Sequence, residues 1–311
     1  MEKNREQEVL ELWKQALCSR IELFRKLPKK TYNVEKDACY LENAGSVPLI
    51  RFRAFDKYPF VNAAFSTRFG GVSTGHLAAL NLGFGRGDLA ENVSENYKLF
   101  CESMGTDCRN LVLSDQVHNT KIFVAGKNDI CHDTIKKKLQ DIDGLMTDQP
   151  EVCLATSYAD CVPLFFVDPT KRVVASSHSG WRGTVMKMGE KTVAAMENVY
   201  GSKKEEIVAV IGPSICQACY EVDIDVIWQF EKSYGKEEME EIAYCKDKVT
   251  GKYQLDLWAA NFLQLREAGL PAENIHVSAI CTCCNSRLLF SHRASKGKRG
   301  NLNGFICLKE D

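Results

Sequence analysis

Tyr158-Ala-Asp-Cys-Val-Pro-Leu-Phe-Phe-Val-Asp-Pro-Thr-Lys-Arg-Val-Val-Ala-Ser-Ser-His-Ser-Gly-Trp-Arg-Gly183 holds two apolar runs separated by a turn signal. Pro169 presets the backbone angle for the first central position of a tight turn, so the segment predicts a β-hairpin. If Asp168 pairs with Lys171, then Val167 faces Arg172, Phe165 faces Val174 and Cys161 faces His178. Directly opposed residues carry Cβ atoms about 4.5–5.5 Å apart. A thiolate and an imidazole at that spacing can share one metal ion or form a nucleophile–base pair. Taken singly, a buried Cys is a small apolar side chain and a strand-end His is simply satisfied by hydrogen bonds. Their pairing is what carries information.

The hairpin opens into Ser179-Gly-Trp-Arg-Gly183 and then a helical pattern, which gathers backbone N–H groups and Arg182 at one place, a potential anion site. A catalytic zinc site takes three protein ligands and leaves one position open, so a Cys–His pair needs another donor. His118 lies between two strand-like runs, His76 in a Gly-flanked loop, His132 in a charged connection, His276 in a strand and His292 beside Arg293. The residues alone leave the choice among them open.

Further from the hairpin, short apolar runs alternate with turn signals at 61–65, 111–113, 122–125, 152–156, 207–211 and 276–280, and read as strands. Helical patterns fall at 92–104, 184–200, 223–233 and 257–268, the last closed by Gly269 where a left-handed cap belongs. Some strands follow one another directly and others follow helices, which predicts an α+β fold with mixed or antiparallel sheets. Residues 5–27 form an amphipathic pattern in which Leu10, Trp13, Leu17, Ile21 and Phe24 make one apolar stripe, ended by Pro28. Residues 1–45 are therefore expected to be an N-terminal helical extension docked on, or dimerising beside, a single domain at 46–311.

Forty-five per cent of the 311 residues are apolar, enough for a packed core. Forty basic and forty-one acidic residues leave a net charge of −1, with no overall field to hold nucleic acid or an anionic membrane, so small molecules are the expected partners. The charged N-terminus has no apolar run of signal-peptide type, which points to the cytoplasm. Fourteen cysteines in such a chain are expected to be reduced thiols or metal ligands.

Over about residues 60–308 the chain resembles the YfiH-like, laccase-domain proteins, once called multicopper polyphenol oxidases and now regarded as purine nucleoside phosphorylases. The matching blocks include Phe65-Ser-Thr-Arg-Phe-Gly-Gly-Val-Ser73, Leu80-Asn-Leu-Gly83, Gln116-Val-His118, Asp143-Gly-Leu-Met-Thr147, Ala159-Asp-Cys-Val-Pro163 and His178-Ser-Gly-Trp-Arg-Gly183. They continue with Ile211-Gly-Pro-Ser-Ile215, Tyr220-Glu-Val222, Leu255-Asp-Leu257, Cys281-Thr282 and Phe290-Ser-His-Arg293, all in the same order. The resemblance implies a four-layer α/β/β/α fold with mixed sheets, distantly similar to the catalytic domain of a bacterial cytotoxic necrotizing toxin. It also implies a zinc site on His118, Cys161 and His178, phosphorolysis of adenosine, inosine and 5′-methylthioadenosine, and deamination of adenosine. Asn119 stands in place of a usual Gly, Ser179 in place of a frequent Ala, and Ala294 where a second Arg is common.

Phosphorolysis requires an anion beside the ribose anomeric carbon, a task that suits paired guanidinium hydrogen bonds. Arg68, before Gly70-Gly71, and Arg182 are the candidates, with Asn81 as a nucleoside contact. For proton transfer, Asp160 would point away from Cys161 on an extended strand, so it serves only if the strand ends there and otherwise fixes a loop; Glu221 and Asp143 are alternatives. Cys216-Gln-Ala-Cys219 with Cys281-Thr-Cys-Cys284 could form a structural zinc site, although Cys-x-Cys-Cys is not the usual spacing. The run Lys296-Gly-Lys-Arg299 could bind phosphate groups, although a solvated charge cluster on a Gly-containing loop is the ordinary explanation. Competing readings are a Cys–His amidohydrolase acting on a peptidoglycan precursor, and a metal-stabilised module whose N-terminal helix recruits a partner. Copper-dependent oxidation is disfavoured, since one Cys and two His do not supply several copper centres. The expected assembly is a monomer or homodimer.

Overall fold

The computed structural model describes residues 2–26, 32, 38–43, 45–132, 135–137 and 139–310, with side chains in the first helix described over 5–19. The strands are β1 Cys39–Glu42, β2 Leu49–Phe52, β3 Val61–Ser66, β4 Leu111–Leu113, β5 Ile122–Val124, β6 Gly144–Thr147, β7 Cys153–Tyr158 and β8 Val162–Asp168. They continue as β9 Val173–Ser179, β10 Val208–Ile211, β11 Glu221–Asp223, β12 Ala243–Asp247, β13 Lys252–Leu255, β14 Ile275–Val277 and β15 Leu302–Leu308. The helices are α1 Glu2–Lys26, α2 Arg53–Asp56, α3 Ala90–Met104, α4 Trp181–Val185, α5 Met188–Tyr200, α6 Ile224–Glu231, α7 Lys236–Ile242, α8 Leu257–Glu267 and α9 His292–Ser295.

Two six-stranded mixed sheets, ordered β1-β2-β3-β15-β7-β4 and β14-β10-β8-β9-β6-β5, lie face to face, with a small sheet β11-β13-β12 at the side. Strand alternation builds the layers. On β8, Val162, Leu164 and Phe166 join α5, α6 and α8 residues in one core, while Phe165 and Val167 join the core between the sheets. On β15, Ile306 and Leu308 face that central core, whereas Phe305 and Cys307 pack with Tyr97, Phe100 and Met104 of α3. The result is the expected α+β, four-layer α/β/β/α arrangement. Gly304 is demanded by the sheet-to-sheet contact, since a Cβ there would stand 2.3 Å from Cζ of Phe165.

The hairpin forms, but with a longer turn than Asp168–Lys171 pairing predicts. Asp168 pairs with Val173, Val162 with Ser179 and Pro163 with His178. The Asp168 carboxylate accepts the N–H groups of Thr170 and Lys171, and Arg172 takes a left-handed φ of 53°, adding two residues to the loop. Cys161 is therefore a diagonal neighbour of His178 and does not face it directly. A shift of two preserves the sheet face, so the thiol and imidazole still meet.

The 184–200 pattern splits at Lys187, whose φ is 60°, into α4 and α5. In α1 the buried face is Val9, Leu12, Trp13 and Ala16, which join the core between the sheets; Leu10 is exposed, and the side chains of Ile21 and Phe24 lie outside the described residues, as does Pro28. Cys39–Glu42, within the stretch the sequence assigns to the extension, is the edge strand of the first sheet.

Candidate metal centre and its cavity

Cys161 follows Asp160, whose φ of 81° turns the chain just before β8 begins. His178 is the penultimate residue of β9. His118, in the loop between β4 and β5, itself has φ 65°, a left-handed geometry that His adopts more readily than most residues. Gln116 fixes that loop to β7 through reciprocal bonds, donating to Ser157 O at 3.0 Å and accepting from Ser157 N at 2.7 Å.

One buried carboxylate organises the group. Asp143 accepts the backbone N–H of Val117, His118 and Asn119 at 3.0, 3.0 and 3.1 Å, and Nδ1 of His178 lies 2.8 Å from it. Burial opposes its charge, but the His178 ring and the loop amides outweigh burial and hold its pKa below the ordinary carboxylate value. With Nδ1 engaged, Nε2 of His178 is left for a metal, the usual carboxylate–histidine–metal relation.

Sγ of Cys161 lies 3.9 Å from Nε2 of His118, and the ligand atoms of His118, Cys161 and His178 all fall within 4.8 Å of one another. Donors on one tetrahedral ion, with bonds of about 2.3 Å to sulfur and 2.0–2.1 Å to nitrogen, stand about 3.6 Å apart, close to this spacing. Gly180 leaves the necessary room: a Cβ there would sit 2.9 Å from Sγ of Cys161 and 3.1 Å from Cδ2 of His118. Burial resists ionisation of Cys161, yet the charge of His178 and hydrogen bonds from both histidines bring the thiol down to about 6. Burial likewise resists charge on His178, but the Cys161 thiolate and Asp143 push it up to about 9. Without a metal the pair is thus thiolate and imidazolium, and an ion binding there displaces the proton.

A cavity of about 470 Å³ opens over these three residues. Trp181 and Tyr220 give it aromatic walls, Asp160 is its carboxylate, and Arg86, Arg293, Arg299 and Lys137 line it with positive charge. The Asp160 carboxylate accepts from Thr282 Oγ1 at 2.6 Å and Arg293 N at 2.7 Å, so it fixes two loops as well as facing the cavity. The Arg293 guanidinium donates to the carbonyls of Cys219 and Glu221 at 3.0 and 2.9 Å, pinning the Tyr220 wall. Arg299 bonds Asn301, while its Nε is buried without a hydrogen-bond partner. Burial, and then the neighbouring charge of Arg86, push Arg299 down to about 10.

The structure brings His118, Cys161 and His178 together, and does not bring Arg68, Asn81 or Arg182 to the cavity lining. The guanidinium of Arg68 is spent on Ala78 O, at 2.9 and 2.8 Å, and Ser286 O, at 2.9 Å. Asn81 is buried, accepting from Gly83 N and Asn301 N at 2.9 and 3.0 Å and donating to Asp88 at 2.8 Å. Arg182 is exposed and lies over the Trp181 ring. Glu221 pairs with Lys246 at 2.6 Å outside the cavity. Arg86 is missed because nothing local marks it, and Arg299 is hidden in a run whose ordinary reading is a solvated cluster: in 296–299 the first three residues are exposed and only Arg299 turns inward.

Fold and site together define an enzyme built around a candidate Cys–His₂ metal centre, in a layered α/β/β/α body. The chain belongs to the family described as multi-copper polyphenol oxidoreductase laccase, whose model matches residues 62–309. It is 36% identical over 252 residues to a protein named purine nucleoside phosphorylase YlmD from Bacillus subtilis strain 168, covering 80% of this chain and 89% of that one. Adenosine deaminase RL5, from an unknown prokaryotic organism, is 34% identical over 233 residues, 74% of this chain and 87% of its own. The crystal structure of YlmD from Geobacillus stearothermophilus superposes with a TM-score of 0.81 at 33% identity, covering 88% of this chain and all of that one.

Proposed function

We propose that this enzyme is a zinc-dependent purine nucleoside phosphorylase. It would release base and ribose 1-phosphate from adenosine and inosine, and methylthioribose 1-phosphate from 5′-methylthioadenosine, with adenosine deamination as a second activity. The observation that carries this reading is the buried, unpartnered Nε of Arg299 in the cavity that holds the Cys161 and histidine donors. The names of the relatives, one a phosphorylase and one a deaminase, support the same pair of reactions.

Soft sulfur and imidazole donors in a three-ligand set suit zinc, held by His118, Cys161 and His178. When bound, zinc supplies a Lewis acid and lowers the pKa of a coordinated water. The remaining work falls to the chain. Arg299 and Arg86 hold phosphate, whose charge relieves their mutual repulsion. Tyr220 and Trp181 offer flat apolar faces to the purine. Asp160 keeps lone pairs beyond those used by Thr282 and Arg293, and accepts a hydrogen bond from a ribose hydroxyl or purine N–H. In phosphorolysis a phosphate oxygen bonds to C1′ as the C1′–N9 bond breaks, and the base keeps the electron pair and takes up a proton. Asp143 holds the Nδ1 proton of His178 throughout.

No helix among the described residues is long and apolar enough to cross a membrane. The test is product identification from adenosine with and without phosphate. Adenine and ribose 1-phosphate should form only when phosphate is present, Cys161→Ala should abolish turnover, and Arg299→Ala should raise the KM for phosphate at least tenfold. Base release indifferent to phosphate, or full activity in Cys161→Ala, would overturn the assignment. The depressed Cys161 pKa favours a Cys–His amidohydrolase as the second reading, and a covalent acyl adduct on Cys161 would establish that instead.

A further inference from the structure

Cys216 and Cys219 on one loop and Cys281 and Cys284 on another place four sulfurs within 4.8 Å of one another, separate from the donors over which the cavity opens. Sγ of Cys284 lies 3.9 Å from that of Cys216 and 3.4 Å from that of Cys219. Four sulfurs on a tetrahedral ion with bonds of about 2.3 Å stand about 3.8 Å apart, which these separations bracket. A disulfide would need about 2.05 Å, and all four thiols are free. The buried sulfur of Cys281 also accepts two backbone N–H groups, from Cys216 and Cys284, each at 3.3 Å. Backbone N–H groups aimed at a sulfur are hydrogen bonds of the kind that orient a ligating cysteine. The spacing is ordinary once Cys283 is set aside, since both pairs are Cys-x-x-Cys.

The geometry points to a second metal centre: a single zinc-class ion held by the thiolates of Cys216, Cys219, Cys281 and Cys284. Four protein ligands leave no position for a reactant, so the centre is structural. Sulfurs this close fit one ion and are too crowded for a cluster that must span several irons. Cys284 is exposed and Cys219 half-buried, which gives the ion an entry path. The centre ties the loop after β10 to the loop after β14, beside the bridge between Ser214 and Cys281. Tyr220 follows Cys219 directly, and the Cys219 carbonyl receives Arg293, so the ion fixes one wall of the cavity. This assignment stands independently of the nucleoside chemistry.

Elemental analysis of the full chain, purified under reducing conditions without chelator, tests it. Wild type should carry two zinc ions, Cys161→Ala one, and Cys219→Ser with Cys284→Ser one. Cobalt loaded into Cys161→Ala should give an intense thiolate-to-metal charge-transfer band. That band cannot come from His118 and His178, so this measurement decides the matter even if the double variant fails to fold. One zinc in wild type with none in Cys161→Ala, cobalt bound without the band, or a disulfide among the four cysteines in reduced preparations would overturn the second centre.

Discussion

Asp143 is the residue on which the candidate centre depends most, although it would touch no metal. It joins the His118 loop to the His178 ring through four accepted hydrogen bonds. Asp143→Asn would remove the charge and turn one acceptor into a donor facing those N–H groups. Such a change behind a ligating histidine typically costs 10–100-fold in metal affinity or activity, and titration against a competing chelator should read that loss. Cys161 gives a pH test in the metal-free protein. Its folded pKa of about 6 lies below the ordinary 9.0, so the thiolate persists at neutral pH and is lost as pH falls through about 6. Alkylation by iodoacetamide should be flat from pH 7 to 8.5 and halve near pH 6, and added zinc should suppress it; a rate still climbing above pH 8 would refute the depressed value. Cys161 and His178 were legible in the sequence because a hairpin converts numbering into proximity. Asp143 was legible only as an alternative for proton transfer; its organising role was not, because it works through backbone amides whose partners no side-chain pattern records.

Among the elements, β15 shows what pattern reading loses. It lies between β3 and β7, and every one of its residues is buried. Asn303 and Gly304 interrupt the apolar alternation, so the segment lacks the strand signature, and both interruptions have packing reasons. Asn303 donates to the buried Tyr97 hydroxyl at 2.7 Å, and Gly304 admits the Phe165 ring. Gly304→Ala should therefore destabilise by about 1–3 kcal/mol through overpacking, measured by urea unfolding. Paired with Phe165→Leu, which withdraws the ring, the loss should be partly recovered, and strict additivity would argue against this contact. The β8–β9 hairpin illustrates the opposite case. Its turn was mis-sized by two residues, yet the pairing of functional side chains survived, because an even slip returns each residue to the same face.

For the molecule as a whole, charge balance conceals a local field. The net charge is only −1, but Arg86, Arg293, Arg299 and Lys137 converge on one cavity. Such focusing should accelerate capture of an anionic co-substrate at low salt, so kcat/KM for phosphate should fall several-fold between about 0.01 and 0.15 M ionic strength. That for an uncharged nucleoside at saturating phosphate should change little. The α+β class with mixed sheets was legible because strands and helices alternate irregularly along the chain, and its four layers only through the family resemblance, whereas the convergence of four cations was not legible, since it takes loops and the short helix α9 meeting in space. His118 and Asp160 are held in left-handed backbone by partners within the chain. Asp143 secures the first, and Thr282 with the Arg293 amide secures the second, so neither turn needs an ion to persist. An emptied centre keeps its shape and can be refilled by exchange, and copper(II) outranks zinc on such nitrogen and sulfur donors. The colour of a purified batch will then report the trace elements of its growth medium, and a preparation tinted by copper carries no message about the reaction for which the cavity was built.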